Sequence, residues 1–228
     1  MKKLSHEEAA ETFLLAAALA VAGGFLDAYS YLVRGGVFAN AETGNMVLLG
    51  IRLIQGEYAR ALTYLVPILA FALGVWTSEA ARDRFRDHPG VHWRQLTLGA
   101  ETVIVAAVAF LPETLDMLAN VLVAFTCAMQ VESFRRVRGN AFASTMCTGN
   151  LRSGTESLFH FRRGKDKEAG ESALCYYGII AIFIAGAALG ALTCGVLGRK
   201  AALVCAGILL FCFSLLSLRG ERKMAGGA

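Results

Sequence analysis

Charged residues in this chain are confined to short stretches, and the stretches between them are long and apolar. The apolar runs fall at about 12–33, 60–81, 95–111, 115–134, 173–197 and 200–218. A helix that rises 1.5 Å per residue needs about 20 apolar residues to cross roughly 30 Å of hydrocarbon. Only 18% of the residues are charged, against about 25% in an average soluble chain. The pattern predicts an all-α integral membrane protein, one transmembrane domain over 1–228, with about six transmembrane helices.

Two further segments, 43–55 and 148–161, are too polar to be assigned from hydropathy. The chain has eight spans if both cross and six if neither does. With six spans and the N-terminus inside, sixteen basic residues face the cytoplasm and five face outward. Basic residues concentrate in cytoplasmic loops, so six spans with both termini in the cytoplasm are favoured. The sixteen are Lys2, Lys3, Arg82, Arg84, Arg86, Arg94, Arg135, Arg136, Arg138, Arg162, Arg163, Lys165, Lys167, Arg219, Arg222 and Lys223.

The chain contains an internal repeat, because residues 23–50 resemble residues 127–154. Arg34-Gly35 matches Arg138-Gly139 at a shift of 104, and Thr43-Gly44-Asn45 matches Thr148-Gly149-Asn150 at a shift of 105. Farther along, Ala70xxxGly74 resembles Gly186xxxGly190. The repeats are about 12–111 and 115–218. Three crossings per repeat is an odd number, so we expect the second repeat to be inverted relative to the first.

The two Thr-Gly-Asn segments are predicted to be short interrupted or re-entrant helices that enter the membrane from opposite faces. Transporters with inverted repeats bind solutes near the midplane at such helices. A helix N-terminus offers free N–H groups and the positive end of its dipole. The predicted site therefore includes Thr43, Gly44, Asn45, Thr148, Gly149 and Asn150, and it favours an anion or a carboxylate. The alternative is that both segments are ordinary helix starts at the surface.

Asp27 lies deep in the first apolar run, where an unpaired charge costs roughly 2.5–3.5 kcal/mol on insertion scales. Asp27 is therefore a candidate substrate-binding residue. The alternative is a structural ion pair with Arg34. The repeat places Asp27 opposite Val131, so Gln130 and Glu132 are its nearest equivalents and complete the predicted site.

The sequence offers no sign of a catalytic or metal centre. Its six cysteines form no CxxC pair, and no HExxH motif or Cys-His cluster is present. We therefore expect no enzyme activity, cofactor or metal, and we interpret the cysteines as small buried hydrophobic residues. The net charge of +4 is modest and does not argue for nucleic acid.

The segments GGFLDAYSYLVRGGVFANAETGN and CAMQVESFRRVRGNAFASTMCTGNLRSGTE resemble the YoaK-type family of bacterial inner-membrane proteins, and the likeness covers nearly the whole chain. The resemblance implies a multi-pass protein of the bacterial inner membrane without a characterised function. Members of that family often carry an amide after the Gln of the second motif, where this chain reads Gln130-Val131-Glu132.

These features predict a secondary transporter or permease for a small polar solute, with a midplane site between the repeats. Proton coupling through Asp27 or Glu132 is one form of this hypothesis. A channel would share the architecture without needing a coupling acid, and a structural or regulatory membrane protein is a further alternative. The expected partners are the lipid bilayer, the solute and a second copy of the chain in a homodimer.

Overall fold

The computed structural model describes residues 10–40, 42–86 and 92–220. Helices form almost all of this part of the chain. In chain order they are α1 (Phe13–Val33), α2 (Glu42–Ile54), α3 (Tyr58–Phe85), α4 (Trp93–Val108), α5 (Asp116–Ser133), α6 (Cys147–Gly164), α7 (Lys167–Leu197) and α8 (Ala202–Gly220). The predicted all-α class is confirmed. Both chain termini, for which the charge pattern predicts a cytoplasmic location, lie outside the described residues.

The connections between the helices are short. Single 3₁₀ turns, Glu113–Leu115 and Gly198–Ala201, precede α5 and α8. After α5 the chain forms a small antiparallel hairpin of β1 (Arg136–Val137) and β2 (Asn140–Ala141).

Four segments of the described chain are long and apolar enough to cross a membrane. They are Phe13–Val33, Tyr58–Phe85, Glu113–Ser133 and Lys167–Leu218. The fourth contains two helices, α7 and α8. The predicted run at 95–111 corresponds to α4, which has 16 residues. The membrane character of the protein follows from these segments.

Helices α1 and α7 are packed in parallel at very short range. Gly178 lies beside Phe13, Gly186 beside Val21, and Gly190 beside Phe25, so contacts advance in the same direction along both helices. A Cβ added to Gly186 would collide with the Val21 carbonyl oxygen. Glycine is therefore required there because the two backbones touch. Small residues of this kind allow close helix packing in membranes, where lipid provides no hydrophobic driving force between helices.

Helices α3 and α5 form a second parallel pair. Gly74 of α3 contacts the backbone of Phe125 and the side chain of Ala128. Farther along both helices, the hydroxyl groups of Ser78 and Ser133 are hydrogen-bonded at 2.9 Å. The protein thus has two close-packed parallel pairs, α1 with α7 and α3 with α5.

The remaining contacts between the long helices are antiparallel. The Gln130 side chain of α5 donates to Leu19 O near the start of α1, and Asn120 donates to Arg34 O just after its end. Gln95 at the start of α4 donates to Ser217 near the end of α8. Cys205 of α8 contacts Ala22 O of α1. Together with the parallel pairs, these contacts make α1, α3, α4, α5, α7 and α8 alternate in direction along the chain.

The two Thr-Gly-Asn segments are short helices, each preceded by a loop that turns back toward the middle of α1. After α1, Asn40 donates its side-chain amide to Gly23 O at 3.4 Å, and α2 begins two residues later. After α5, Ser144 and Thr145 meet Gly23 as well, and α6 begins at Cys147. Gly23 is the central residue of α1. Helices α2 and α6 therefore start near the centre of the bundle.

Arg34 fixes the end of α1 to three other parts of the chain. Its fully buried guanidinium donates to Val108 O at 2.6 Å, to Leu111 O at 3.0 Å and to Asp116 Oδ1 at 2.8 Å. Tyr29 Oη accepts from Arg34 Nε and donates to Arg199 O. This network joins α1 to the α4–α5 connection and to the turn before α8.

Replacing Gly186 by Ala is expected to destabilise the protein, because its Cβ would press against the Val21 backbone in the α1–α7 contact. Overpacking of this kind costs about 1–3 kcal/mol. Gly195 of the same helix has open space around it, so Gly195→Ala should leave the melting temperature unchanged or raise it. Thermal unfolding in detergent checks both variants. Equal melting temperatures for the two would contradict the contact.

The ends of α2 and α6 are expected to lie on opposite faces of the membrane. Single cysteines at Gln55 and Lys165, in a chain with its six cysteines replaced, would be exposed to a membrane-impermeant maleimide. We expect one position to label in intact cells and the other only after the membrane is opened. Labelling of both positions from the same face would contradict the opposed directions of the short helices.

Candidate functional site

A polar site lies on the face of α1 that carries Leu19, Gly23 and Asp27. These residues are four apart and therefore occupy neighbouring turns of one helix face. Side chains from α5 and from both returning loops cover this face. We call the resulting group of side chains the central site, and it consists of Asp27, Asn40, Gln130, Ser144 and Thr145.

Gln130 covers the first turn of this face. It is fully buried, and its side-chain nitrogen donates to Leu19 O at 3.3 Å and to Ser144 Oγ at 2.5 Å. Both N–H groups of the amide are therefore engaged by the protein. Its oxygen, Oε1, is buried without a hydrogen-bond partner.

Asn40, which belongs to the loop after α1, covers the central turn of this face. It is 4% exposed, and its side-chain nitrogen donates to Gly23 O. Its amide and backbone N–H also face the Asp27 carboxylate, and the side chain faces the Cys127 thiol of α5. As at Gln130, the amide oxygen is buried without a partner.

Thr145 and Asp27 complete the central site. The Thr145 methyl group contacts Gly23, where any larger side chain on α1 would displace it. Oγ1 of Thr145 and Oδ1 of Asp27 are both buried without hydrogen-bond partners. An unpaired buried polar group costs several kcal/mol in an apolar medium. Several such groups around one helix face are typical of a binding site.

The predicted ion pair between Asp27 and Arg34 does not form. Arg34 is occupied by Asp116 and by the carbonyl groups at the end of α4. Asp27 is half-buried in the middle of the bundle without a basic partner among the described residues. The alternative of an ion pair with Arg34 is therefore wrong, and it is Asn40 that faces the Asp27 carboxylate.

The Thr-Gly-Asn residues are divided between two environments. Thr43, Gly44, Thr148 and Gly149 are exposed in the first turns of α2 and α6, while Asn45 and Asn150 are buried. Asn150 accepts from Ala143 N at 3.3 Å and donates to Ala143 O at 2.7 Å, so it closes the returning loop onto the helix. Asn45 donates to Glu42 Oε2 at 3.1 Å. The structure thus gives Asn150 a role in holding its loop, whereas Asn45 bonds to a neighbouring side chain within the first turn of α2.

Glu132 lies apart from the central site. It occupies the last turn of α5, forms an ion pair with Arg135 at 3.0 Å and lies next to Glu79 of α3. Gln130 points toward α1 while Glu132 points toward α3, because residues two apart face different sides of a helix. Of the predicted site residues, Asp27 and Gln130 belong to the central site.

Glu101 is a buried acid that the sequence reasoning did not include in the site. It lies in the middle of α4, is fully buried, and neither carboxyl oxygen has a hydrogen-bond partner. It lies near Cys127 of α5 and Cys205 of α8. Cys127 also lies near Asp27, so it stands between the two acids. The rule that singled out Asp27 applies equally to Glu101, but the predicted span 95–111 placed this residue near a membrane surface.

Asn40 and Thr145 were also missed, although the repeat carries a signal for both. At the shift of 105 that aligns the two Thr-Gly-Asn motifs, Asn40 aligns with Thr145. Each is a polar residue five positions before the motif asparagine, and each meets the centre of the bundle. Extending the repeat alignment to polar pairs would have found them.

Within the described residues, no cluster of three or more His, Cys, Asp or Glu side chains is suited to hold a metal ion. The six cysteines are free, and all except Cys147 are buried.

Comparison with known proteins identifies one family. Residues 15–215 match the family described as "Protein of unknown function (DUF1275)". This match is consistent with the YoaK-type resemblance and does not establish that narrower name. No curated protein and no solved structure matches the chain.

Asn150→Ala is expected to destabilise the protein more than Asn45→Ala. The first substitution removes two hydrogen bonds to the backbone and leaves the half-buried N–H and carbonyl groups of Ala143 unpaired, and each unsatisfied group costs at most about 1–3 kcal/mol. The second removes one bond between neighbouring side chains of α2. Melting temperatures of the two variants provide the comparison. An equal or larger loss for Asn45→Ala would show that Asn150 does not hold the loop.

Proposed function

Since the chain belongs to the DUF1275 family, whose function is unknown, its activity must be inferred from its own site, and we propose a proton-coupled secondary transporter for a small polar solute. The observation that carries this proposal is the central site. Two loops reach it from opposite ends of α1, and several of its polar atoms have no hydrogen-bond partner among the described residues.

The packing of the helices supports an inverted repeat with six spans. Under the shift of 104, Val21 of α1 corresponds to Phe125 of α5. Gly186 of α7 packs against Val21, and Gly74 of α3 packs against Phe125. The two close parallel pairs are therefore equivalent contacts, α1 with α7 and α5 with α3. This correspondence pairs Gly74 with Gly186, one helical turn away from the pairing with Gly190 that the sequence pattern favours.

The proposed topology places six helices, α1, α3, α4, α5, α7 and α8, across the bacterial inner membrane. Both termini are in the cytoplasm, since this orientation puts most of the basic residues on that side. Helices α2 and α6 are re-entrant in this topology, and each covers one half of the bilayer. Homodimer formation stays a prediction.

Alternating access in this arrangement requires only that one returning loop at a time leave the central site. Asn40 closes the site toward the end of α1, while Ser144 and Thr145 close it toward the beginning. Withdrawal of either loop would open the α1 face to one side of the membrane. Rocking of one repeat against the other around a fixed site is the general mechanism of transporters with inverted repeats.

Proton coupling needs an acid that changes its charge as the site opens and closes. Asp27 is the first candidate because it lies in the site. Glu101 replaces Glu132 as the second, since Glu132 is held by Arg135 near the end of α5. A charge on Glu101 would be uncompensated, because its described neighbours are thiols and apolar groups. Both Asp27 and Glu101 lie near the Cys127 thiol of α5.

Flux in proteoliposomes tests the proposed function. A pH-sensitive dye inside the vesicles would report proton movement when amines, amino acids, carboxylates and polyols are added one at a time. We expect one class to drive a proton flux. Asp27→Asn should reduce that flux at least tenfold, whereas Glu171→Gln, which neutralises an exposed acid on α7, should leave it unchanged.

The outcomes separate the competing functions. Solute entry without proton movement, unchanged in Asp27→Asn, would contradict coupling and favour a channel. No flux of any solute from well-folded protein would contradict transport and favour a structural or regulatory role.

A further inference from the structure

The hydrogen bonds of the central site leave one kind of polar atom unused. The side-chain nitrogens of Asn40 and Gln130 donate to main-chain oxygens of α1, at Gly23 and Leu19. These carbonyl acceptors fix the orientation of both amides, because an amide turned the other way would set oxygen against oxygen. The donors are consumed by the protein, and the oxygens remain.

All four unpartnered atoms of the central site are oxygens. They are Asp27 Oδ1, Asn40 Oδ1, Gln130 Oε1 and Thr145 Oγ1. The two amide oxygens, and the carboxylate oxygen when Asp27 is ionised, can accept hydrogen bonds or coordinate a cation but cannot donate. The Thr145 hydroxyl can also accept or coordinate, and it can donate as well. An anion placed here would meet an acidic residue and amide oxygens, and its only possible side-chain donors within the central site would be the hydroxyl groups of Ser144 and Thr145.

The charges around the site also favour a positively charged ligand. Asp27 has no basic partner among the described residues, and Arg34, the nearest arginine along α1, is bound to Asp116. Arg138 lies over the Phe13 ring, at the start of α1, and is therefore distant from Gly23. The N-termini of α2 and α6 each contribute a charge of roughly +0.5, but their first residues, Thr43, Gly44, Thr148 and Gly149, are exposed and lie outside the central site. When it is ionised, the Asp27 carboxylate contributes a full negative charge within the site itself.

We propose that the central site binds a small monovalent cation, either ammonium or an alkali-metal ion, through these four oxygens. The inference deepens the proposed function, because the bound cation would be the solute itself or an ion that accompanies it. A cation replaces the anion or carboxylate that we predicted from the sequence on the basis of the two helix N-termini. Oxygen ligands are those that hard cations prefer, and ammonium offers four N–H donors to the same atoms.

Size also favours a simple ion. The Asn40 amide and the Thr145 side chain both meet α1 at Gly23, a residue that has no side chain of its own. The loops therefore close over the helix with little space between them. An occupant comparable in size to a water molecule fits such a position better than a larger metabolite.

Thermal unfolding of the purified full-length protein tests the proposal without any transport assay. The protein would be kept in choline chloride at constant ionic strength, and choline would be replaced by ammonium, sodium or potassium. Fluorescence of Trp76 and Trp93 reports unfolding. We expect one of the three ions to raise the melting temperature in a saturable manner by several degrees, since a ligand that binds only the folded state stabilises it.

Two variants assign the effect to the central site. Asp27→Asn should weaken the apparent affinity at least tenfold, while Glu171→Gln removes an equal charge from an exposed position and should not change it. Thr145→Val keeps the methyl contact with Gly23 and removes only the hydroxyl oxygen, so it should weaken binding even if Asp27→Asn proves unstable.

Three results would overturn the proposal. They are no response to any of the three cations, a response that is the same in Asp27→Asn and Thr145→Val as in the unmodified chain, and stabilisation by choline acetate or choline phosphate alone. The last result would leave a solute site in place and reverse the sign of its ligand. Failure of proton-coupled flux, by contrast, would contradict the proposed function while leaving a cation site that the melting experiment detects.

Discussion

Arg34 sets the position at which the chain reverses after α1, and the central site depends on that position. A buried guanidinium in a membrane protein is tolerated only when its charge is paired and its donors are satisfied. Here the carboxylate of Asp116, the carbonyls of Val108 and Leu111 and the Tyr29 hydroxyl meet these needs. The following Gly35 and Gly36 both have positive φ, which allows the chain to turn back sharply. The loop can then bring Asn40 to the middle of α1.

Close packing and unpaired polar groups lie side by side in this bundle. On one side of α1, the contact with α7 leaves no room for a Cβ at Gly24 or Gly186. On another, Gly23 is covered by polar loop residues whose oxygens lack partners. The glycine contact packs α1 tightly against α7, while few hydrogen bonds hold the loop residues over Gly23. A firmly packed helix covered by weakly held loops is what the proposed alternating access requires.

The sequence predicted the class of the protein well, because hydropathy directly reflects the apolar solvent. Charge segregation located the long helices within a few residues, and the repeat located α2 and α6. Hydropathy could not identify the central site, since Asn40, Ser144 and Thr145 belong to loops whose path depends on Arg34 and on the hairpin after α5. Glu132 was chosen as an equivalent of Asp27 by its position in the sequence, and helix geometry directs it elsewhere. The positive charge proposed for the ligand was equally inaccessible from the sequence, because the argument for it rests on which end of each amide the α1 carbonyls engage.

The pairing of α1 with α7 has a consequence for how the protein is made. Helix α1 finds its closest partner only when residues 178–190 have been synthesised. Until then, the face of α1 that carries Gly24 meets lipid, the insertion machinery or the helices made before α7, none of which is the partner of that face in the folded protein. In the same way, α3 lacks its close partner until α5 has been synthesised. Neither half of the chain contains a complete set of these contacts, so assembly is completed late and across the whole molecule. A nascent chain interrupted after α5 would leave α1 without α7, its closest partner.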